Sequence, residues 1–137
     1  MSAARKSTAT TDVGHNAHRD IAIIGGGIGG LTAALAFARQ GAKVTVYEQA
    51  DALTEVGAGL QITPNGARAL NALGLERALD ASGITAEAVA PMDAISGQEI
   101  TRFDLTNQTP PYRFYHRAAL IDVLARACEA ARVTVRL

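Results

Sequence analysis

Cysteine is nearly missing from this chain of 137 residues: Cys128 is the only one. An intramolecular disulfide is thereby excluded, and no metal-ligating neighbours surround the thiol. Cys128 falls in a predicted helix and reads as a small packed residue rather than a reactive one. An excess of charge is missing too, since 13 Lys and Arg balance 13 Asp and Glu. There is no global basic field for nucleic acid and no polybasic patch for a membrane surface. No apolar run approaches the ~20 residues needed to span a bilayer. No Ser/His/Asp set and no metal cluster stands out, so neither catalytic nor metal residues are assigned. Together these absences suit a protein of the reducing cytoplasm.

Residues 1–19 also lack something, namely any hydrophobic periodicity. They are rich in Ala, Ser and Thr and are expected to be a disordered leader, with the folded part spanning residues 20–137. The leader has no apolar core, so it is not a secretory signal, and it is only a weak match to a transit peptide. His15 and His18 read as solvent-exposed bystanders rather than a metal pair.

What is present is one continuous fingerprint from Ile21 to Glu48, IAIIGGGIGGLTAALAFARQGAKVTVYE. Residues 21–24 are an apolar run without alternation, as expected of a parallel strand covered on both faces. Gly25 sits where the chain turns sharply from strand to helix. Gly27 lets the backbone approach a pyrophosphate, and Gly30 lets the helix pack closely on the strand. Gly26, Ile28 and Gly29 complete the turn. A helix over about residues 28–40 points its free N–H groups and the positive end of its dipole at the phosphates. Leu31, Ala34, Leu35 and Ala38 follow helical spacing and are predicted to face the sheet. Gly41 ends that helix, residues 43–47 read as a second strand, and Glu48 closes it.

Glu48 lies 18 residues beyond Gly30. There a carboxylate accepts hydrogen bonds from an adenosine ribose and would repel a 2′-phosphate. A glycine turn alone is weak evidence; the whole strand–turn–helix–strand unit with its terminal carboxylate is strong. These residues imply a site for the ADP half of FAD or NAD and do not choose between them.

Beyond Glu48, Gly57 and Gly59 bracket Ala58, a sign of backbone running close to something bulky. Residues 60–62 suit a short strand, Thr63 an N-cap, and Pro64 the first position of a helix reaching about Leu73. Gly74 stops it, and a further short helix covers residues 75–81. Residues 86–104 read as two strands joined at Ser96 and Gly97. From Tyr112 the pattern is strand, then a strong helix over 118–131, then a strand over 133–137, as if returning to the parallel sheet.

Taken together, IIGGGIGGLTAALAFARQG with Glu48, the segment EVGAGLQITPNG and the segment HRAALIDVL resemble the FAD-dependent aromatic-ring hydroxylases. These are single-component flavoprotein monooxygenases, and the wording GAGLQITPN is most similar to the salicylate hydroxylase-like branch. The resemblance covers about residue 20 to the C-terminus and implies a Rossmann-like FAD/NAD(P)-binding three-layer α/β fold, incomplete at the C-terminus. It implies FAD as cofactor and NADH or NADPH as co-substrate. The implied partner is a small aromatic substrate, with no nucleic acid or membrane. It further implies that Gly25, Gly26, Gly27, Ile28, Gly29 and Gly30 hold the pyrophosphate and Glu48 the ribose. Gly59 would pass near the flavin, and Arg117 would contact FAD near the pyrophosphate. Gln49 departs from the pattern, because many relatives carry an arginine there.

Family members run to about three times this length, and two later signatures, an Asp-Gly and a Gly-Asp segment, are not in this sequence. The chain therefore reads as an N-terminal portion, expected to bind FAD weakly and not to hydroxylate by itself. Two other readings stay open: another flavin oxidoreductase with a similar N-terminus, and a non-catalytic nucleotide-binding or decayed fragment.

Overall fold

In the computed structural model, residues 16–53 and 59–137 are described. The expected leader up to residue 15, and Gly57 of the glycine pair, lie outside the described residues. The chain begins with β1 (Asp20–Ile24), α1 (Ile28–Arg39), β2 (Lys43–Tyr47), β3 (Gly59–Ile62), α2 (Pro64–Ala72) and α3 (Glu76–Ser82). It continues with β4 (Ile84–Thr85), β5 (Ala88–Val89), β6 (Phe103–Asp104), β7 (Arg113–His116), α4 (Arg117–Ala130) and β8 (Thr134–Arg136).

β1, β2 and β8 form a parallel sheet in the order β1-β2-β8. Ile21 lies opposite Val44, and Val46 opposite Val135. Helices α1 and α4 pack against each other. They bury Val44 and Val46 together with Leu31, Leu35, Leu120, Ile121, Leu124 and Cys128, none of them more than 1% exposed. A fully buried Leu side chain is worth ~1.5–3 kcal/mol, so this helix–sheet layer is the main apolar reserve of the chain. The Cys128 thiol donates to the Leu31 carbonyl at 3.3 Å, which places the cysteine inside the α1–α4 contact.

β2 and β8 run parallel, and α1 and α4 each lead into one of them. The C-terminal ends of both helices therefore lie at the strand starts, where Ala38, Arg39, Ala127 and Ala131 line one depression. Their N-termini consequently point to the other end of the sheet, where β1 and β2 finish. This sets the site.

Two expectations need correction. The apolar run of β1 predicts cover on both faces, yet Ile24 is 84% exposed and Ala22 is exposed as well. Both helices lie on one side of the sheet, so alternate residues of β1 have nothing packed on them among the described residues. The segment from Tyr112 is expected to return to the parallel sheet, and its last strand, β8, does so beside β2, but the strand before α4 does not. Instead β7 runs antiparallel between β3 and β4, with Gly59 opposite His116 and Ile84 opposite Phe114. Tyr115 is the buried residue of β7; its hydroxyl donates to the Leu79 carbonyl at 3.3 Å. Arg113 pairs with Asp80 at 2.8 Å and ties β7 to α3.

Smaller features follow the sequence. β5 and β6 pair antiparallel through Val89 and Phe103, with Met92 bridging Glu99 ahead of the turn containing Ser96 and Gly97. Thr63 stands at the N-cap of α2, though its side chain makes no capping bond. The domain's contacts reach back to Asn16, ahead of the expected boundary at residue 20: Asn16 is buried and its side-chain amide donates to the Gln40 side chain at 2.5 Å. No helix among the described residues is long and apolar enough to cross a membrane.

Candidate cofactor site

At the C-terminal end of β1 the chain must reverse into α1 within a few residues. Gly25 makes that turn with φ +101°, a left-handed conformation that a side chain would strain. Its N–H donates to the Tyr47 carbonyl at 2.7 Å, joining the turn to the end of β2. Gly30 explains the closeness of helix and strand. A Cβ there would lie 1.9 Å from the Gly25 carbonyl oxygen, so only glycine fits. Gly26 is confined by side chains instead: a Cβ would lie 2.6 Å from Leu53 Cδ2, the movable end of that side chain, and 3.1 Å from Glu48 Cβ. Gly29 differs: a Cβ on it would meet nothing within 4 Å, and the space above it is open.

Gly27 is the N-cap of α1 and brings no side chain to cap it; the first turn contains no acidic residue either. The N–H groups of that turn, Ile28 and Gly29 among them, thus carry the helix's positive end with no acidic side chain in the turn itself. Glu48 stands just past β2. Its Oε2 accepts the Gly26 N–H at 2.5 Å and its Oε1 accepts the Ala50 N–H at 3.0 Å. Those donors, Gly26 first, hold the Glu48 carboxyl below the usual carboxylate range, against a smaller opposing effect of burial. The Glu48 N–H donates to the Arg136 carbonyl at 2.8 Å, so β8 also steadies this corner.

A depression of about 240 Å³ at the strand ends is lined by Ile24, Gly25, Tyr47, Glu48 and Gln49. The Arg136 guanidinium lies 5.8 Å from the centre of the Tyr47 ring at its edge. A larger cavity, about 550 Å³, opens between α3 and α4 and contains none of the candidate residues. The smaller depression is the better candidate because it adjoins the glycine turn and the carboxylate, where the polar groups converge.

The structure thus brings together Gly25, Gly26, Gly27, Ile28, Gly29, Gly30 and Glu48. Arg117 opens α4 at the same end of the sheet, since α1 and α4 point the same way. Gly59 starts β3 opposite His116, immediately before Arg117, so the two travel as a pair. A Cβ on Gly59 would be 3.7 Å from the Tyr115 carbonyl oxygen, ordinary contact, so the chain's own packing does not demand glycine there. Ile24, Tyr47 and Leu53 were not singled out from the sequence. Tyr47 had a signal, as the last strand residue before Glu48; the approach of Leu53 to Gly26 had none, being set by the path of the loop.

The described chain fits the ADP half of a dinucleotide: a turn closed to any Cβ at Gly30, open space at Gly29, an uncapped helix start and a carboxylate at the strand end. Comparison with known proteins agrees. Residues 20–66 match the FAD dependent oxidoreductase family. The 3-hydroxybenzoate 6-hydroxylase 1 of Aquipseudomonas alcaligenes is 40% identical over 116 residues, 81% of this chain and 29% of that protein. The 3-amino-4-hydroxybenzoate 2-monooxygenase of Streptomyces cremeus is 37% identical over 118 residues, 82% of this chain and 30% of that protein. Among solved structures, the tetrameric form of 2-methyl-3-hydroxypyridine-5-carboxylic acid oxygenase superposes with a TM-score of 0.79 at 27% identity. That match covers 86% of this chain and 31% of the other. The resemblance to FAD-dependent aromatic hydroxylases is borne out, and so is the Rossmann-like FAD-binding fold. The chain spans about 30% of the length of these relatives.

Proposed function

We propose that this chain, an FAD-dependent oxidoreductase by family, is the FAD-binding portion of a monooxygenase that hydroxylates a small aromatic substrate with NADH or NADPH and O2. The observation that carries the reading is the close approach of Gly30 to the Gly25 carbonyl, next to Glu48 at the end of β2. That arrangement suits a pyrophosphate and a ribose, and the match of residues 20–66 to an FAD dependent oxidoreductase family favours FAD over NAD.

The roles follow from the donors present. The N–H groups of Ile28, Gly29 and Gly30 face the pyrophosphate at the positive end of α1. Glu48 accepts from the ribose hydroxyls, with Tyr47 and Gln49 forming the walls. Arg117 donates to phosphate oxygens from the start of α4, its planar fork suiting that anion. Gly59, beside it in register, keeps backbone low where the flavin side of the nucleotide passes. When bound, FAD supplies the redox chemistry, hydride uptake from the pyridine nucleotide and activation of O2. What the chain's residues contribute is anchoring and orientation.

The aromatic substrate class comes from the relatives, whose names specify hydroxybenzoates and aminohydroxybenzoates. Because the chain corresponds to under a third of their length, it is expected to bind FAD weakly and to turn over nothing alone. A cytoplasmic setting suits the reducing chemistry and the single thiol. The test is to add FAD, NADH or NADPH and a panel of hydroxybenzoates to the purified chain. Weak, measurable FAD binding without substrate-driven NAD(P)H oxidation is expected; substrate-driven oxidation would overturn the reading as a non-catalytic portion, and no measurable FAD binding would overturn the cofactor role.

A further inference from the structure

A ribose-binding carboxylate needs only to face the ribose, yet both Glu48 oxygens hold backbone N–H groups of the chain itself. Oε2 takes Gly26 at 2.5 Å and Oε1 takes Ala50 at 3.0 Å. Bonds to an ionised acceptor are roughly twice as strong as neutral ones. The contact is not polar alone. Gly26 is pressed between the Glu48 and Leu53 side chains so tightly that a Cβ would come within 2.6 Å of Leu53. Leu53 in turn packs on the core. The segment after β2 is therefore docked on the glycine turn from two sides.

This docking has a consequence for the turn's donors. The Gly25 N–H is spent on the Tyr47 carbonyl and the Gly26 N–H on Glu48. The donors left to face an anion are those of the first turn of α1, after the uncapped Gly27. We propose that Glu48 is a positioning residue for the glycine turn: by holding the Gly26 N–H it sets the α1 donors for a pyrophosphate, independently of any ribose contact. Each carboxylate oxygen accepts more than one hydrogen bond, so the ribose role is kept alongside. The consequence for affinity rests on the nucleotide-binding reading; the hold on Gly26 does not.

The experiment compares wild type, Glu48→Gln and Glu48→Ala. Amide hydrogen exchange at Gly26 is followed by NMR with no nucleotide added. Binding of ADP and of 2′,3′-dideoxyadenosine diphosphate, which lacks both ribose hydroxyls, is measured by calorimetry. Glutamine keeps an acceptor within reach of Gly26 and alanine does not, while both remove the charge that repels phosphate. Gly26 exchange is expected to speed up about tenfold in Glu48→Ala and to stay near wild type in Glu48→Gln. The dideoxy analogue is expected to bind Glu48→Ala about tenfold more weakly than Glu48→Gln. Equal Gly26 exchange in wild type and Glu48→Ala, or equal affinity of the two variants for the dideoxy analogue, overturns the proposal. If Glu48→Ala loses its native circular dichroism, Glu48→Asn, neutral and one methylene too short to reach Gly26, replaces it with the same expectations. Failure of ADP to bind wild type overturns the nucleotide reading, and Gly26 exchange then decides the hold by itself.

Discussion

A Cβ on Gly30 would lie 1.9 Å from the carbonyl oxygen of Gly25, with backbone rather than a movable side chain in its way. Gly30→Ala must therefore push α1 off β1. A loss of about 2–3 kcal/mol in unfolding free energy is expected, together with loss of FAD binding. Gly29→Ala is the contrasting case, because open space surrounds that position. It is expected to leave the fold intact, or to stabilise it by up to ~1 kcal/mol through helix propensity, while weakening FAD. Urea unfolding and flavin fluorescence on the two variants check the pair.

Cys128 is fully buried inside the α1–α4 contact, where burial pushes its thiol up. The native protein is expected to react with dithionitrobenzoate only as fast as it unfolds, and at once in 6 M guanidinium. A fast native reaction would mean that α4 does not pack on α1 as described.

The Tyr115 hydroxyl is paired with the Leu79 carbonyl, and its ring stands where a Cβ on Gly83 would approach within 2.6 Å. Tyr115→Phe is expected to cost about 1 kcal/mol, the value of one buried hydrogen bond. Gly83→Ala is expected to cost about 1–3 kcal/mol by forcing the ring aside. Thermal melts of both variants test whether β7 is seated on α3 by this ring.

The Glu48 carboxyl is held low by the Gly26 and Ala50 N–H groups. A group with a depressed value in the folded state adds stability that is present above its unfolded value and lost as pH falls through the folded one. The stabilisation that comes from the ionised carboxylate is therefore expected to be fully present at pH 7 and to fade below about pH 4. Asp93 and Asp104, lowered mainly by the N–H and hydroxyl groups of Ser96 and Thr106, add acid sensitivity of their own. Comparing urea midpoints of wild type and Glu48→Gln between pH 3 and 7 isolates the Glu48 share: the difference should shrink toward acid pH.

The first third of the fold was legible because its signals are local. Glycine spacing, the helical recurrence of Leu31, Ala34 and Leu35, and the run into Glu48 each depend on a few consecutive residues. The sheet membership of β7 was not legible, because its neighbours are Gly59–Ile62 and Ile84–Thr85, far apart in sequence, and a strand does not encode which partner it meets. Likewise the apolar run of β1 shows that burial is tolerated, not that a second layer covers Ile24. At the site, the glycines and Glu48 were readable as types, whereas the bond from Gly26 to Glu48 and the approach of Leu53 depend on how the loop after β2 returns to the turn.

The central claim is that this chain reads the ADP half of FAD. Calorimetric titration of the purified chain with FAD, ADP and FMN tests it most directly. FAD and ADP are expected to bind with similar, weak affinity and FMN not measurably, since the anchoring groups described all serve the ADP half. Binding of FMN but not ADP, or of none of the three, would contradict it.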